Sequence, residues 1–433
     1  MDELVVDGGG ALSGTIRVSG NKNAAFPLIA AALLSDEAVT LENLPDIEDV
    51  RIMLALVEGL GVTVHRPDPH VAVLQAGGLR GTCPDPSLVS RVRGALVLIG
   101  PLLARRGQVQ FGRPGGDRIG RRRVDTHLEA LSVLGADVRV ADRFELASSG
   151  LHGADVLLDE VSVTATENVI LAAVLAKGRT TVRNAASEPH VQELCHLLVR
   201  MGACIEGIGS NVLAITGVSS LGGATATLGG DYIEAGTFMV LAGCTGGTLR
   251  VQGVSADGMG MALPVLRRLG VRVEAEPDTL VVSSPQPLTV HPDVDGGIPK
   301  IEDGPWPAFP ADLMSLVIVL ATQASGTVLF HEKLYEGRLF FVNHLLGLGV
   351  RAVLCDPHRV VVTGPSRLRP LPTGLECPDI RAGMAMLAAA LSAEGRTVIR
   401  SIEQIDRGYE RIEAKLSSLG ARVTRVTPPA HPH

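Results

Sequence analysis

Two kinds of residue in this sequence can do chemistry on an anion: arginines gathered around one acid, and charged residues fixed at helix starts. The first kind fills Gln110 to Ala136, QFGRPGGDRIGRRRVDTHLEALSVLGA. Pro114-Gly115-Gly116-Asp117 is a turn with no regular structure of its own. Arg113, Arg118, Arg121, Arg122 and Arg123 flank or follow it. A glycine loop with one acid among guanidiniums suits gripping an anion and moving protons beside it. The same residues read equally as a solvated surface turn. Asp125 and His127 then open an apolar-periodic segment to Leu134 that predicts a helix, and a lone histidine on a helix reads as structural.

The second kind is spread along the chain. In Ser19-Gly20-Asn21-Lys22-Asn23 a strand ends and an alanine-rich helix begins, so Lys22 beside free backbone N–H groups makes a phosphate site. Arg91 and Arg93 lead an otherwise apolar helix and point into a cleft or into solvent. Ser162-Val163-Thr164-Ala165-Thr166-Glu167-Asn168 repeats the Lys22 arrangement with hydroxyls and a carboxylate, and reads equally as a helix cap. Gly229-Gly230-Asp231-Tyr232 is a hinge turn. Trp306-Pro307-Ala308-Phe309-Pro310-Ala311-Asp312 delivers a carboxylate at a helix start, a good general base and also a good N-cap. Asp379-Ile380-Arg381 and Asp406-Arg407-Gly408-Tyr409 each set an arginine beside an acid before a helix. Lys22, Arg122 and Arg407 make a trio of cations for a small, multiply charged anion.

The elements that must position these residues recur. Leu/Met-Gly-Val/Ala appears six times, with glycines at Gly61, Gly135, Gly202, Gly270, Gly349 and Gly420, about seventy residues apart. Each glycine closes an amphipathic helix as a C-cap, and a short β-like run follows. Upstream of most copies stands a small-residue apolar helix, a glycine and a strand, as in ILAAVLAKGRTTVRNA. Each repeat therefore reads helix–strand–helix–strand, with alanine-rich helices inside and strands outside. Six repeats divide into two lobes of three, an α/β architecture. The strands ELVVDG and GTIRVSG are expected to pair with the C-terminal half, because the last repeat lacks a closing partner. That puts lobe one at 22–229, carrying a mobile loop near 111–123, and lobe two at 1–21 plus 230–433, with a ligand cleft between them.

Composition narrows the function. The 433 residues exceed one ordinary core. A net charge of −7 and 3% aromatic residues give no footprint for nucleic acid. The six cysteines have no ligand-like spacing and read as buried thiols of a reducing compartment. Met1 is followed by acidic residues rather than a signal sequence, and no uncharged apolar run is long enough for a membrane span. These features predict a cytoplasmic protein with no membrane association. No metal cluster, nucleophile elbow or Walker loop is present, and no cofactor is expected.

SGNKNAAFP, PGGDRIGRRRVDTHLEALSVLGA, VSVTATEN, PAFPADL, DIRAGMAML and IDRGYERIEAKLSSLGA occur in one order across the full length. Together they resemble the enolpyruvyl transferases, specifically the branch that acts on UDP-N-acetylglucosamine. The resemblance implies a two-lobed inside-out α/β barrel of six repeats. It implies transfer of the enolpyruvyl group of phosphoenolpyruvate to the 3-hydroxyl of UDP-N-acetylglucosamine, the first committed step of peptidoglycan synthesis. It assigns Lys22, Arg122 and Arg407 to phosphoenolpyruvate. It assigns Asn23, Arg93, Arg123, Val124, Asp125, Thr126, Ser162, Val163, Thr164 and Leu334 to the sugar nucleotide and its pocket. Asp312 becomes the base for the 3-hydroxyl, Asp117 a loop acid of the reaction, and Asp379 and Arg381 order the closed lobes.

Three residues depart from the pattern the resemblance implies. Asp117 stands where most of the family has cysteine, and some members have aspartate. The carboxylate predicts insensitivity to fosfomycin, whose epoxide a thiolate opens. Glu160 and Tyr232 stand where Lys and Arg are frequent, near the nucleotide diphosphate and the hinge, and Arg121 and Arg123 are expected to compensate. Two related readings stay open: another acceptor, of the shikimate 3-phosphate type, and a non-catalytic sugar-nucleotide-binding paralogue. An RNA-phosphate cyclase on a similar repeat is disfavoured by the negative charge.

Overall fold

Six glycines decide where six helices stop. Gly61, Gly135, Gly202, Gly270, Gly349 and Gly420 all have φ between 90° and 105°. Any other L-residue pays roughly 1–2 kcal/mol to adopt the left-handed conformation. They follow the helices Glu48–Gly59, Asp125–Val133, Pro189–Arg200, Ala262–Arg268, Val342–Gly347 and Ile412–Ser418. The computed structural model describes residues 2–117, 119–283 and 287–427. Arg118, one of the loop arginines singled out above, lies outside them.

After each cap comes a strand, then a second strand that the sequence reading did not separate. Val71–Gln75, Phe144–Ala147, Val212–Thr216, Thr279–Ser283 and Arg359–Gly364 each turn back antiparallel between two strands of their own repeat. Alternating burial drives the pairing, because the apolar face of each returning strand lands on the core and a one-residue slip would turn it to water. The repeat is thus one strand longer than helix–strand–helix–strand.

Among the described residues the last repeat has no returning strand of its own. Glu3–Gly8 takes that place, antiparallel to both Gly395–Arg400 and Arg422–Val426, with Leu4 and Val6 fully buried. Gly14–Arg17 runs parallel to Thr248–Gln252, and Ala224–Thr227 runs parallel to Ala38–Glu42. Among the described residues there are six sheets.

The chain forms two compact units. The inner unit is Gly20–Gly116 and Arg122–Gly229; the terminal unit is Met1–Ser19, Asp117–Arg121 and Gly230–His433. Asp117 and Ile119–Arg121 of the arginine loop thus group with the terminal unit rather than with the segments on either side of them. Each unit contains three of the sheets. The core of the terminal unit is built from the helices Tyr232–Thr245, Ala311–Ala321 and Ile380–Ser392, packed on one another. The inner unit uses Lys22–Ala31, Ile99–Arg106 and Val163–Ala173. Alanine and glycine on these helices let the backbones approach, so the sheets lie outside.

Cys195, Cys244 and Cys377 are buried, whereas Cys83, Cys204 and Cys355 are exposed, so the expectation of buried thiols holds for three of the six. Among the described residues no helix is long and apolar enough to cross a membrane.

Candidate active site

In the inner unit, Asn21 caps the helix Lys22–Ala31 by accepting from the backbone N–H of Asn23 at 2.8 Å and of Ala24 at 3.3 Å. Those two N–H groups are therefore engaged locally rather than free for an anion. Lys22 is 7% exposed, and its ammonium lies 2.8 Å from the buried Asp49 carboxylate. Burial of a lone ammonium costs several kcal/mol, and Asp49, in the first turn of Glu48–Gly59, offsets it. Asn23 is half-buried beside it.

The arginine loop begins where Gly115 crosses the Ser90 carbonyl so closely that a Cβ would stand 1.7 Å from its oxygen. Gly116, with φ of 105°, passes the Arg93 side chain. Arg93 leads the 3-10 turn Arg93–Leu98 and donates to the carbonyls of Arg122 at 2.7 Å and Arg123 at 3.0 Å. It clamps the C-terminal arm of the loop. Arg91, its neighbour in sequence, pairs with Glu48 at the surface instead. Arg93→Ala is expected to raise amide exchange across residues 121–126 about ten- to a hundredfold, since bonds to a charged donor contribute roughly 1.5–3 kcal/mol. Unchanged exchange would mean that other contacts hold this segment.

Arg123 is surrounded by acids: Asp159 at 2.6 Å, Asp125 at 3.4 Å and Glu160 at 4.0 Å. The Thr126 hydroxyl donates to Asp159 at 2.6 Å, and this bond, together with Arg123, holds the Asp159 carboxyl below its usual range. Val124 is half-buried against the core and precedes the helix at Asp125. Ser162 caps the helix Val163–Ala173 through the Ala165 N–H, as its cap reading foresaw.

Val163 is half-buried against the same core, and Thr164 reaches His127 Nε2 at 3.1 Å. His127 Nδ1 accepts from the Asn168 amide at 2.9 Å, which assigns the remaining ring proton to Nε2. Burial, aided by Arg93, pushes this imidazole down to about 3, so it is neutral and structural. Glu167 is buried near Glu188, and that burial raises its carboxyl well above the ordinary value.

In the terminal unit the central group is Asp312. The N-cap of its helix is Pro310, which has no side-chain bond to give, so Asp312 does not cap. One oxygen accepts from Arg338 at 3.1 Å and the other from Arg381 at 2.9 Å. Both guanidiniums are buried, at 3% and 6% exposure, while the Asp312 side chain keeps 30%. The carboxylate is thus anchored from behind with part of its surface open. Arg381 also donates to the Tyr409 hydroxyl at 3.1 Å, which is bonded in turn to Thr237 at 2.8 Å. Asp379 caps the helix Ile380–Ser392 by accepting from the backbone N–H of Arg381 and Ala382. Its burial raises the carboxyl above the ordinary value.

Asp117 meets Arg407 at 2.7 Å, and Arg407 also donates to Gln404 at 3.0 Å. The neighbouring loop residues are held by Glu336, which accepts from the Arg121 N–H at 2.8 Å, and by the Gly337 N–H on the Ile119 carbonyl at 2.9 Å. Leu334, one of the expected nucleotide residues, is 41% exposed nearby in sequence. Tyr232 is buried in a T-shaped pair with Trp306, 6.2 Å between ring centroids.

The terminal unit therefore brings Asp117 to Arg407, and Asp312 to Arg381. The inner unit brings Arg93 to Arg122 and Arg123, and Thr126 to Asp159. Sequence reasoning missed Asp49, Asp159 and Arg338. Asp49 and Arg338 share one signal, a charged residue at the start of an amphipathic helix whose inner face is otherwise apolar.

The family model for EPSP synthase (3-phosphoshikimate 1-carboxyvinyltransferase) matches residues 6–416. A UDP-N-acetylglucosamine 1-carboxyvinyltransferase of Bradyrhizobium diazoefficiens is 50% identical over 424 residues, covering 98% of each chain. One of Treponema denticola is 48% identical over 423 residues, 98% of this chain and 99% of its own. The crystal structure of the enolpyruvyl transferase NikO from Streptomyces tendae superposes with a TM-score of 0.88 at 25% identity, covering 99% of this chain and all of that one. The two-unit α/β fold, the repeats and these matches agree: the chain belongs to the enolpyruvyl transferase family.

Proposed function

We propose that this protein transfers the enolpyruvyl group of phosphoenolpyruvate to the 3-hydroxyl of UDP-N-acetylglucosamine and releases phosphate, the first committed step of peptidoglycan synthesis. The observation that carries the chemistry is Asp312, a part-exposed carboxylate fixed by two buried guanidiniums. A general base needs an ionised, oriented oxygen with room for its substrate. The acceptor follows from relatives near 50% identity that bear the sugar-nucleotide name. A protein that only bound the nucleotide would have no use for such a base.

In this reading Lys22, Arg122 and Arg407 hold phosphoenolpyruvate, and the loop and helix start at Arg93, Arg123–Thr126 and Ser162–Thr164 hold the sugar nucleotide with Asn23 and Leu334. Asp312 takes the proton of the 3-hydroxyl as its oxygen bonds to C2. Asp117 supplies a proton to C3, which becomes a methyl group in the tetrahedral phospholactoyl ketal. C3 then gives up a proton, the C2–O bond to phosphate breaks, and the double bond re-forms. The cations counter charge on the departing phosphate. Phosphoenolpyruvate bound at Arg407 competes with the Asp117 carboxylate, which, once released, takes up a proton from solvent and passes it to C3. Arg381 holds the base, and Asp379 caps the helix that carries Arg381. Arg123 is shared among three carboxylates, so its compensation for Glu160 is partial.

The test is phosphate release from phosphoenolpyruvate with UDP-N-acetylglucosamine and shikimate 3-phosphate offered separately. Release with the sugar nucleotide alone is expected. Release with shikimate 3-phosphate instead would transfer the reading to the other branch, and release with neither would leave a binding protein.

A further inference from the structure

Behind Arg338 stand two acids with no part in the reaction as written. Strand Lys300–Glu302 runs parallel to Ala324–His331 with Glu302 level with His331, so Asp303 and Glu332 leave the sheet side by side. Neither has any exposed surface. The backbone accounts for one oxygen of each: the Lys333 N–H donates to Asp303 Oδ1, and the Tyr335 N–H donates to Glu332 Oε1. Among the described residues Asp303 Oδ2 and Glu332 Oε2 find no hydrogen-bond donor, yet the two side chains are within bonding reach of each other. Two carboxyls can bond only through a proton.

Arg338 lies between this pair and the base. Its Nε is 3.6 Å from Glu332 Oε2, and its far end is 3.1 Å from Asp312 Oδ1. We propose that Asp303 and Glu332 share one proton and, by keeping Glu332 uncharged, direct the whole Arg338 charge onto Asp312. They are positioning residues, and the inference rests on Asp312 being the base.

The surroundings agree. Burial, with Asp303 beside it, pushes the Glu332 carboxyl up to about 9 against the opposing pull of Arg338. Among the described residues no other cation is seen to reach it: the Lys333 ammonium turns to Glu302 at 3.5 Å, and the His358 ring meets the Glu332 carbonyl oxygen rather than its carboxyl. Tyr335 offers its ring to Arg338 at 5.1 Å, Asp379 adds negative charge from the neighbouring helix start, and Arg381 serves the other oxygen of Asp312. An ionised Glu332 would compete with Asp312 for Arg338, and Asp312 would then hold its proton to higher pH.

Asp303→Asn separates these states. Asparagine accepts from the Lys333 N–H and donates to Glu332, so no shared proton is needed and Glu332 ionises. The acid limb of the kcat–pH profile is expected to move up by about one unit, and Asp303→Asn with Glu332→Gln is expected to bring it back, because glutamine stays neutral. A purely structural pair would lower kcat at every pH and worsen in the double variant. An unmoved limb, or no return, overturns the proposal.

A second measurement needs no turnover. The unfolded chain gives up the Glu332 proton above about 4.5 and the folded chain keeps it to about 9. Stability from this group is full below the lower value and is lost as pH rises toward the upper one. The wild-type Tm should therefore fall relative to Glu332→Gln across that window, and parallel curves would sink the idea. Absence of phosphate release with UDP-N-acetylglucosamine in the wild type would defeat the proposed reaction instead, leaving the melting comparison to judge the pair.

Discussion

Asp312→Asn is expected to lower kcat by about 10²–10⁴, the usual contribution of a positioned base. KM for both substrates should change far less. An amide still presents one oxygen to Arg338 or Arg381, but its NH2 then faces the other guanidinium, donor against donor. The substitution removes the proton acceptor and also disturbs two buried cations that are 3% and 6% exposed. A lower Tm should therefore accompany the lost turnover. Steady-state kinetics at saturating substrate, alongside a melt, separates the effects. A variant whose kcat holds while KM rises would show that Asp312 binds substrate and that the base lies elsewhere.

The second large effect concerns Asp117. With a carboxylate at this position, paired to Arg407 at 2.7 Å, the protein is expected to keep its full activity after long incubation with fosfomycin, and its mass should not change. A carboxylate is a much weaker nucleophile toward an epoxide than a thiolate, and here one of its oxygens is held by a guanidinium. Asp117→Cys should reverse the outcome, giving time-dependent inactivation and one covalent adduct per chain. Arg407 beside the new sulfur favours the thiolate. Adduct formation on wild-type protein would refute the assignment of Asp117 to the loop position. An Asp117→Cys variant that turns over yet never labels would show that the loop residue does not meet the compound.

The frame was legible because it is written in short-range chemistry. A glycine past an apolar helix can be recognised from its neighbours alone, and all six such glycines have left-handed backbone. The returning strands were harder. HVAVLQ and NVLAIT are brief apolar runs; the turn residues Asp68-Pro69 and Gly209-Ser210 precede them, but only the pairing partner defines them as strands of the sheet. The closing role of ELVVDG could be argued because a repeat was visibly incomplete, and Glu3–Gly8 does fill it.

The site divides in the same way. Asp117, Asp312 and Arg407 stand out as polar residues in loops or at helix starts. Asp312 read equally as base or cap, and only the geometry, with Pro310 at the cap position, excludes the cap. Asp49, Arg338, Asp303 and Glu332 each look like ordinary surface charges in the sequence. Their burial is decided by partners tens of residues away, as for Lys22 with Asp49; a charge leading an amphipathic helix hints at it for Asp49 and Arg338, and nothing local does so for Asp303 and Glu332.

The position of Glu3–Gly8 has a consequence for how the protein is made. A strand with partners on both sides is an inner strand, and its partners here end at Arg400 and Val426. The inner unit is complete once its closing strand, Ala224–Thr227, has left the ribosome, so it can fold during synthesis. The terminal unit cannot. Its first strand is made at the outset and must wait, unpaired, for nearly the whole chain, an extreme case of slow non-local pairing. The half that bears Asp312, Arg381 and Arg407 is the last to take shape, and during that wait its open sheet edges are the part of the nascent chain most exposed to aggregation.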